Sequence, residues 1–273
     1  MTSTSGYSLA ASVDVGWVEV LASLSLLLIT LVVSIVLKLQ IERSVVIASL
    51  RAAAQLLAVG FLFTAIFDHH LAQIWAWIWV VAMVVISTVV VERRVPDISG
   101  VRIPTFASIS AAAGITLGVI FPLGIFDTEA VNIVAIAGLT IGNIMPATVL
   151  AVQELQNQFR LRTGEVEALL ALGTSKTSVR RFLCPNIIRT AITHHIERTK
   201  IVGLIALPGA MTGLLLAGID PVEAVLIQLI VMYMILGGTV VTASIVVWFG
   251  SNRAFTNDQR LSQWTNYQQS DIA

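Results

Sequence analysis

A few polar side chains stand inside long apolar runs: Gln55, Asn143, Thr148, Thr212 and Gln228. A polar group in such surroundings is costly unless it bonds across helices or lines a pathway. Arg51 lies near the start of one run, where its long stem can either reach the interface or face that pathway. Met145, Met211, Met232 and Met234 offer thioether sulfur to a soft metal, but methionine is more commonly a gap filler between helices. His194 and His195 sit close to Glu197. Neighbouring helical residues point about 100° apart, a poor geometry for one shared metal face. The Asp68-His69-His70 run invites the same caution. Cys184 is the one cysteine, so neither an internal disulfide nor a cysteine metal cluster can form. No metal centre is expected. Two interruptions accompany these residues. Pro146 follows Asn143 and Met145 and predicts a kink with a freed carbonyl. Pro208-Gly209 predicts a second break.

The elements that must position these residues follow from composition. The chain is 56% hydrophobic and 12% charged, with mean hydropathy +0.88. A soluble domain is about 25% charged. Apolar runs of roughly 20 residues recur, so the expectation is an all-α integral membrane protein with about seven transmembrane helices. The spans read as Trp17 to Leu37, Val45 to Phe67, Leu71 to Val91, Pro104 to Ile125, Ala130 to Val152, Lys200 to Ala217 and Val222 to Phe249. Residues 1–16 read as a disordered tail, 153–198 as a long polar loop and 251–273 as a polar tail. No Lys or Arg precedes Lys38, so the first apolar run reads as a retained helix, not a signal peptide. Asp220-Pro-Val-Glu223 reads as the capped start of the last helix.

The charges orient this arrangement. With seven spans, all 16 Lys and Arg residues fall on one side. The other side carries Asp14, Glu19, Asp68, Asp127, Glu129, Asp220 and Glu223. The positive-inside rule then places the N-terminus outside and the C-terminus in the cytoplasm. Gly114/Gly118, Gly138/Gly142 and Gly209/Gly213 are Gly-x-x-x-Gly pairs, expected to let helices approach closely, within one chain or across a dimer. Gly237-Gly238 suggests another close approach.

Thr163 to Asn186, within the long loop, begins acidic at Glu165 and Glu167. It carries a small apolar face, breaks at Gly173 and turns basic at Arg180 and Arg181. Its Glu-x-x-Ala-x-x-x-x-Gly pattern, followed by Leu-x-Pro, resembles the coupling loop of ABC-transporter permeases. Further residues narrow the likeness. They are Ile201 to Gly213, Leu216 to Ala224 with Gln228 four residues on, Arg51-Ala-Ala-Ala-Gln55-Leu, Gly142-Asn143-x-Met145, and Glu165-x-x-Ala168-Leu-x-x-Leu172-Gly173. Together they resemble the bacterial iron-export ABC permease family, whose plant members are associated with aluminium tolerance and nucleotide-sugar transport. The resemblance covers roughly residues 40–250. Pro146 and Leu214 depart from it, each standing where a polar residue is expected.

What the resemblance implies is a multi-pass permease of the plasma (inner) membrane, acting as a homodimer with a separate cytoplasmic ATPase. ATP and Mg would belong to that partner, and no nucleic-acid partner is expected. The chain has no Gly-x-x-x-x-Gly-Lys-Ser/Thr phosphate loop, in keeping with this. Docking would fall to Glu165, Ala168, Leu169, Leu172, Gly173, Arg180 and Arg181. The transport pathway would draw on Arg51, Gln55, Asn143, Met145, Thr148, Met211, Thr212 and Gln228. Pro146, Pro208 and Gly209 would supply kinks. Rival readings are a seven-helix receptor, an intramembrane enzyme and a secondary transporter. The last helix has no Schiff-base lysine, and no His-Glu-x-x-His or Gly-x-Ser-x-Gly motif is present. No acidic residue sits in mid-span to couple an ion.

Overall fold

The computed structural model describes residues 16–67, 71–96, 98, 100–256, 260–262 and 265. The 1–15 part of the expected tail and the Asp68-His69-His70 run lie outside them. Nine α-helices occur among the described residues: α1 (Trp17–Val36), α2 (Glu42–Phe67), α3 (Ala72–Arg94), α4 (Arg102–Ile120), α5 (Ala130–Leu161), α6 (Thr163–Ala171), α7 (Lys176–Ile201), α8 (Gly209–Leu216) and α9 (Pro221–Gly250). No strand occurs among them. Six helices are long and apolar enough to cross a membrane: α1 to α5 and α9. The chain is an all-α, multi-pass membrane protein.

It divides into two compact units, residues 1–72 with 210–224, and residues 73–209 with 225–273. In the first, α1 and α2 form a helical hairpin. Ser34 Oγ donates to Glu42 Oε1 at 2.7 Å and ties the turn. Nearly every other side chain of α1 is left exposed by the chain. Such apolar surface is stable against lipid or a neighbouring helix. α8 belongs here, as does the start of α9, where Asp220 Oδ1 accepts from the Val222 and Glu223 amides at 2.9 and 3.3 Å. The predicted cap thus forms with Pro221 as first helical residue.

The second unit is built around α5, whose 32 residues reach about 48 Å. Buried residues run its whole length, from Ile133 to Phe159. α4 and α7 pack along it. α9 also comes close, because Gly238 has no side chain. A Cβ there would lie 3.1 Å from Ile144 Cγ2 of α5 and 3.7 Å from Thr116 Oγ1 of α4. Thr148 Oγ1 meets Thr242 Oγ1 of α9 at 3.1 Å.

Of the two settings expected for the glycine pairs, the contacts within the chain can be read directly. An added Cβ at Gly114, Gly118, Gly142, Gly209 or Gly213 would meet nothing within 4 Å, and at Gly138 only Met83 Cε at 3.8 Å. The Gly-x-x-x-Gly pairs therefore mark no close backbone approach among the described residues, and their faces stay open for contact across a dimer. Gly237 is equally open, and the contact belongs to Gly238 alone. Residues 153–198, the expected polar connection, are largely helical, broken at Arg162 and between Leu172 and Ser175. α5 continues to Leu161, and α7 runs back along α5 for 26 residues. Its stripe Val179, Leu183, Ile187 and Ala191, four apart, is buried. The Lys200 to Ala217 segment is not one continuous helix. α7 ends at Ile201 because Gly203 adopts φ +87° and donates its amide to Ala206 O at 3.0 Å. Pro208 then precedes α8.

Within this unit the charges separate. Gln73 Nε2 donates to Thr128 O at 3.1 Å, so the start of α3 lies beside the acidic approach to α5. At the other end a Cβ on Gly100 would sit 3.3 Å from Arg253 Cζ. Phe255 packs edge-on against Phe159 with centroids 5.7 Å apart. The α3–α4 loop and the tail after α9, both basic, share that end.

Candidate functional site

Two places bring the candidate residues together. The first is a cavity of about 60 Å³ lined by Asn143 of α5, His195, Arg198 and Thr199 of α7, Val202, Pro208, and Gln228, Met232, Ile235 and Leu236 of α9. Its position follows from the antiparallel run of α7 on α5. Arg180 and Cys184 meet Ser251 just beyond α9, and Gly250 approaches Leu155 of α5. Three helical turns further along α7, His195 reaches the level of Asn143. Asn143 lies within α5, one of the candidate spans, whereas α7 is not among them. His195 is half-buried and Arg198 is exposed at the rim of this cavity.

The polar chemistry of the cavity is specific. Asn143 Nδ2 donates to Leu139 O at 2.7 Å, which leaves its carbonyl for another partner. Gln228 is 5% exposed, and its Oε1 has no hydrogen-bond partner. A buried carbonyl without a donor costs about 1–3 kcal/mol. Burial, with His194 and Arg198 close by, holds His195 below the usual histidine range, so its ring is neutral near neutral pH. The histidine rings are 5.8 Å apart and nearly perpendicular. Glu197 is occupied by Lys200 at 2.7 Å and does not line the cavity. No group of three or more His, Cys, Asp or Glu side chains comes together among the described residues.

Asn143 and Gln228 thus meet, and His195, Arg198, Thr199 and Met232 join them. Sequence reading named the first two as pathway candidates. It weighed His195 only as half of a histidine pair poorly placed to share a metal and gave Arg198 and Thr199 no role. The usable signal was the α7 stripe, whose next member after Ala191 is His195. Of the remaining pathway candidates, Thr148 and Met145 share this unit without lining the cavity, and Arg51, Gln55, Met211 and Thr212 belong to the other unit. Thr148 is spent on the Ile144 carbonyl and Thr242. Met145 is half-buried on α5 but does not line the cavity. Arg51 and Gln55 are exposed on α2, and Met211 and Thr212 belong to α8. Pro146 lies within α5, which continues through it.

The second place is α6. Val166 anchors it at 1% exposure, while Glu165, Ala168 and Leu172 face outward, Leu172 at 83%. Leu169 is half-buried. Arg162 and Glu165 are 3.9 Å apart, an exposed and weak ion pair. Gly173 ends the helix at φ +83°. Its amide donates to Leu170 O and the Thr174 amide to Leu169 O, both at 3.0 Å, the αL closure that glycine favours. Ser175 then caps α7. Arg181 is exposed. Arg180 is not, which corrects its assignment to a docking surface. Its Nε donates to Ser251 Oγ at 2.8 Å, a terminal nitrogen donates to Trp248 O, and its guanidinium stacks 4.4 Å from the Trp248 ring.

A helical chain with six helices long and apolar enough to cross a membrane among the described residues is a multi-pass membrane protein. Residues 17–255 match the uncharacterised protein family UPF0014, and the chain belongs to that family. It is 31% identical to the UPF0014 membrane protein YjkA of Bacillus subtilis, over 88% of this chain and 98% of the relative. It is 31% identical to the probable iron export permease protein FetB of Escherichia coli, over 87% and 92%. It is 27% identical to the protein ALUMINUM SENSITIVE 3 of Arabidopsis thaliana, over 84% and 83%. No solved structure gives a significant match.

Proposed function

We propose that the chain is the permease subunit of an ABC transporter in the plasma membrane, and that it exports iron or a related metal species. The observation that carries this reading is the exposed α6. It is held by buried Val166 and by Thr163 Oγ1, which donates to Thr265 O at 3.0 Å, and short turns join it to α5 and α7, two of the three helices that line the polar cavity. A surface pushed at α6 can therefore move the cavity walls through helices and not through a loose loop. The name of the Escherichia coli relative supports iron as cargo and export as direction.

In this reading a separate cytoplasmic ATPase binds ATP and Mg²⁺ and docks on Glu165, Ala168, Leu172 and Arg181. Two copies of the chain work together, since one chain offers a single α6 to a two-lobed ATPase. The apolar surfaces of α1 and α2 and the open Gly-x-x-x-Gly faces are available to a second copy. ATP binding closes the ATPase pair, α6 moves with it, and α5 and α7 expose the cavity to the other side of the membrane. Inside-out vesicles bearing the chain and its ATPase test this directly. ATP-dependent accumulation of radioactive iron is expected, and accumulation only in right-side-out vesicles would reverse the direction.

A further inference from the structure

The geometry points to the Asn143–His195–Arg198–Gln228 cavity as a site for a small oxygen-rich anion that also carries a hydroxyl donor, a hydroxycarboxylate or hydrogenphosphate group, in preference to a bare metal cation. This deepens the transport reading and rests on it for the claim that the bound group is cargo.

The lining sets the sign of the charge. Arg198 is the only side chain on it that is charged near neutral pH, and no aspartate or glutamate lines it among the described residues. α7 contributes Arg198 and the neutral His195, while α5 and α9 contribute only uncharged groups. A naked divalent cation entering here would lose its water, find no carboxylate and face a guanidinium, an arrangement that low dielectric makes worse. An anion finds the Arg198 guanidinium as its charged donor, while the Thr199 hydroxyl proton is held by the His195 carbonyl at 2.8 Å. Gln228 Oε1 supplies the second requirement. It is an acceptor, buried and without a partner, so the ligand must bring an O–H to it. About 60 Å³ holds some five water-sized groups, the size of glycolate or phosphate or of the same headgroup on a larger ligand. A metal would then cross as an anionic complex and not as a free ion.

The test uses the full chain in lipid nanodiscs without ATP or partner, titrated with glycolate, inorganic phosphate and Mn²⁺ and followed by ligand-observed NMR. The wild type should bind glycolate or phosphate, and which of the two binds assigns the headgroup. R198Q should weaken that binding by roughly tenfold, R198K should keep most of it, and Q228L should weaken it several-fold. Thermal unfolding of each variant confirms that it is folded. No anion binding up to about 10 mM would overturn the proposal. So would anion binding untouched by folded R198Q and Q228L, or Mn²⁺ binding that depends on Gln228 while neither anion binds. Loss of the ATPase partner would sink the transporter reading and leave this binding result standing.

Discussion

Arg180 of α7 donates through Nε to Ser251 Oγ at 2.8 Å, just beyond the end of α9. Ser251 Oγ in turn donates to Trp248 O at 2.8 Å and accepts from Cys184 Sγ at 3.6 Å. This buried knot clamps the start of α7 to α9, so two of the three helices that wall the cavity are tied at the basic end. Replacing Arg180 by Ala removes charged hydrogen bonds and a cation–π contact, a loss of roughly 2–4 kcal/mol. A clear fall in thermal unfolding temperature is the expected outcome. Replacing exposed Arg181 by Ala should leave it nearly unchanged.

Gly238 predicts a second contrast. Gly238→Ala places a methyl 3.1 Å from Ile144 Cγ2, and Gly238→Val forces α9 off α5, with an expected cost of about 1–3 kcal/mol. Gly237→Ala and Gly142→Ala meet nothing within 4 Å and should be neutral or slightly stabilising through helix propensity. Thermal unfolding of the purified chain separates the two groups. Equal destabilisation at all three positions would contradict the packing described.

Cys184 is buried, and burial pushes its thiol above the ordinary cysteine range, outweighing the Ser251 bond and Arg180. The folded protein should resist thiol-directed maleimide near pH 7.5 and react on unfolding. The linkage has a definite sign. Because the folded thiol holds its proton longer, its contribution to stability is complete below the unfolded thiol pKa of about 8.5 and is lost as pH rises through the folded value. Cys184→Ser should flatten the alkaline fall in unfolding temperature.

Gly173 predicts a local effect. At φ +83° an alanine is strained by about 1 kcal/mol, and the αL closure after α6 is weakened. Gly173→Ala should raise amide exchange in α6 and the start of α7 while α5 stays protected, as read by hydrogen exchange with mass spectrometry.

Much of this architecture is legible in the chain, and the failures have physical causes. Runs such as Ala72–Arg94 and Pro221–Gly250 are apolar enough to identify themselves, and Asp220-Pro221 and Gly173 are caps whose chemistry is local. α7 is hidden because its charges dominate its average, and only the four-residue stripe from Val179 to Ala191 shows a buried face. That stripe also decides the site, since it carries His195 inward. The 202–208 break is written in Gly203 and Pro208, but an apolar run masks it. Gly-x-x-x-Gly spacing gives no partner, so it could not say that Gly238 makes the contact. Arg180 and Arg181 are adjacent and identical in type, and only the course of α7 past Trp248 separates the buried one from the exposed one.

The most direct measurement is recovery of the ATPase with the chain. Tagged wild type extracted from its native membrane should bring down a soluble ATPase with ATP-hydrolysing activity. Leu172→Asp and Glu165→Lys, both on the exposed face of α6, should remove that activity from the eluate with no change in the unfolding temperature of the chain. An ATPase that stays bound and active despite both changes, or a wild-type chain that emerges alone, would contradict the assignment of α6 as the docking surface.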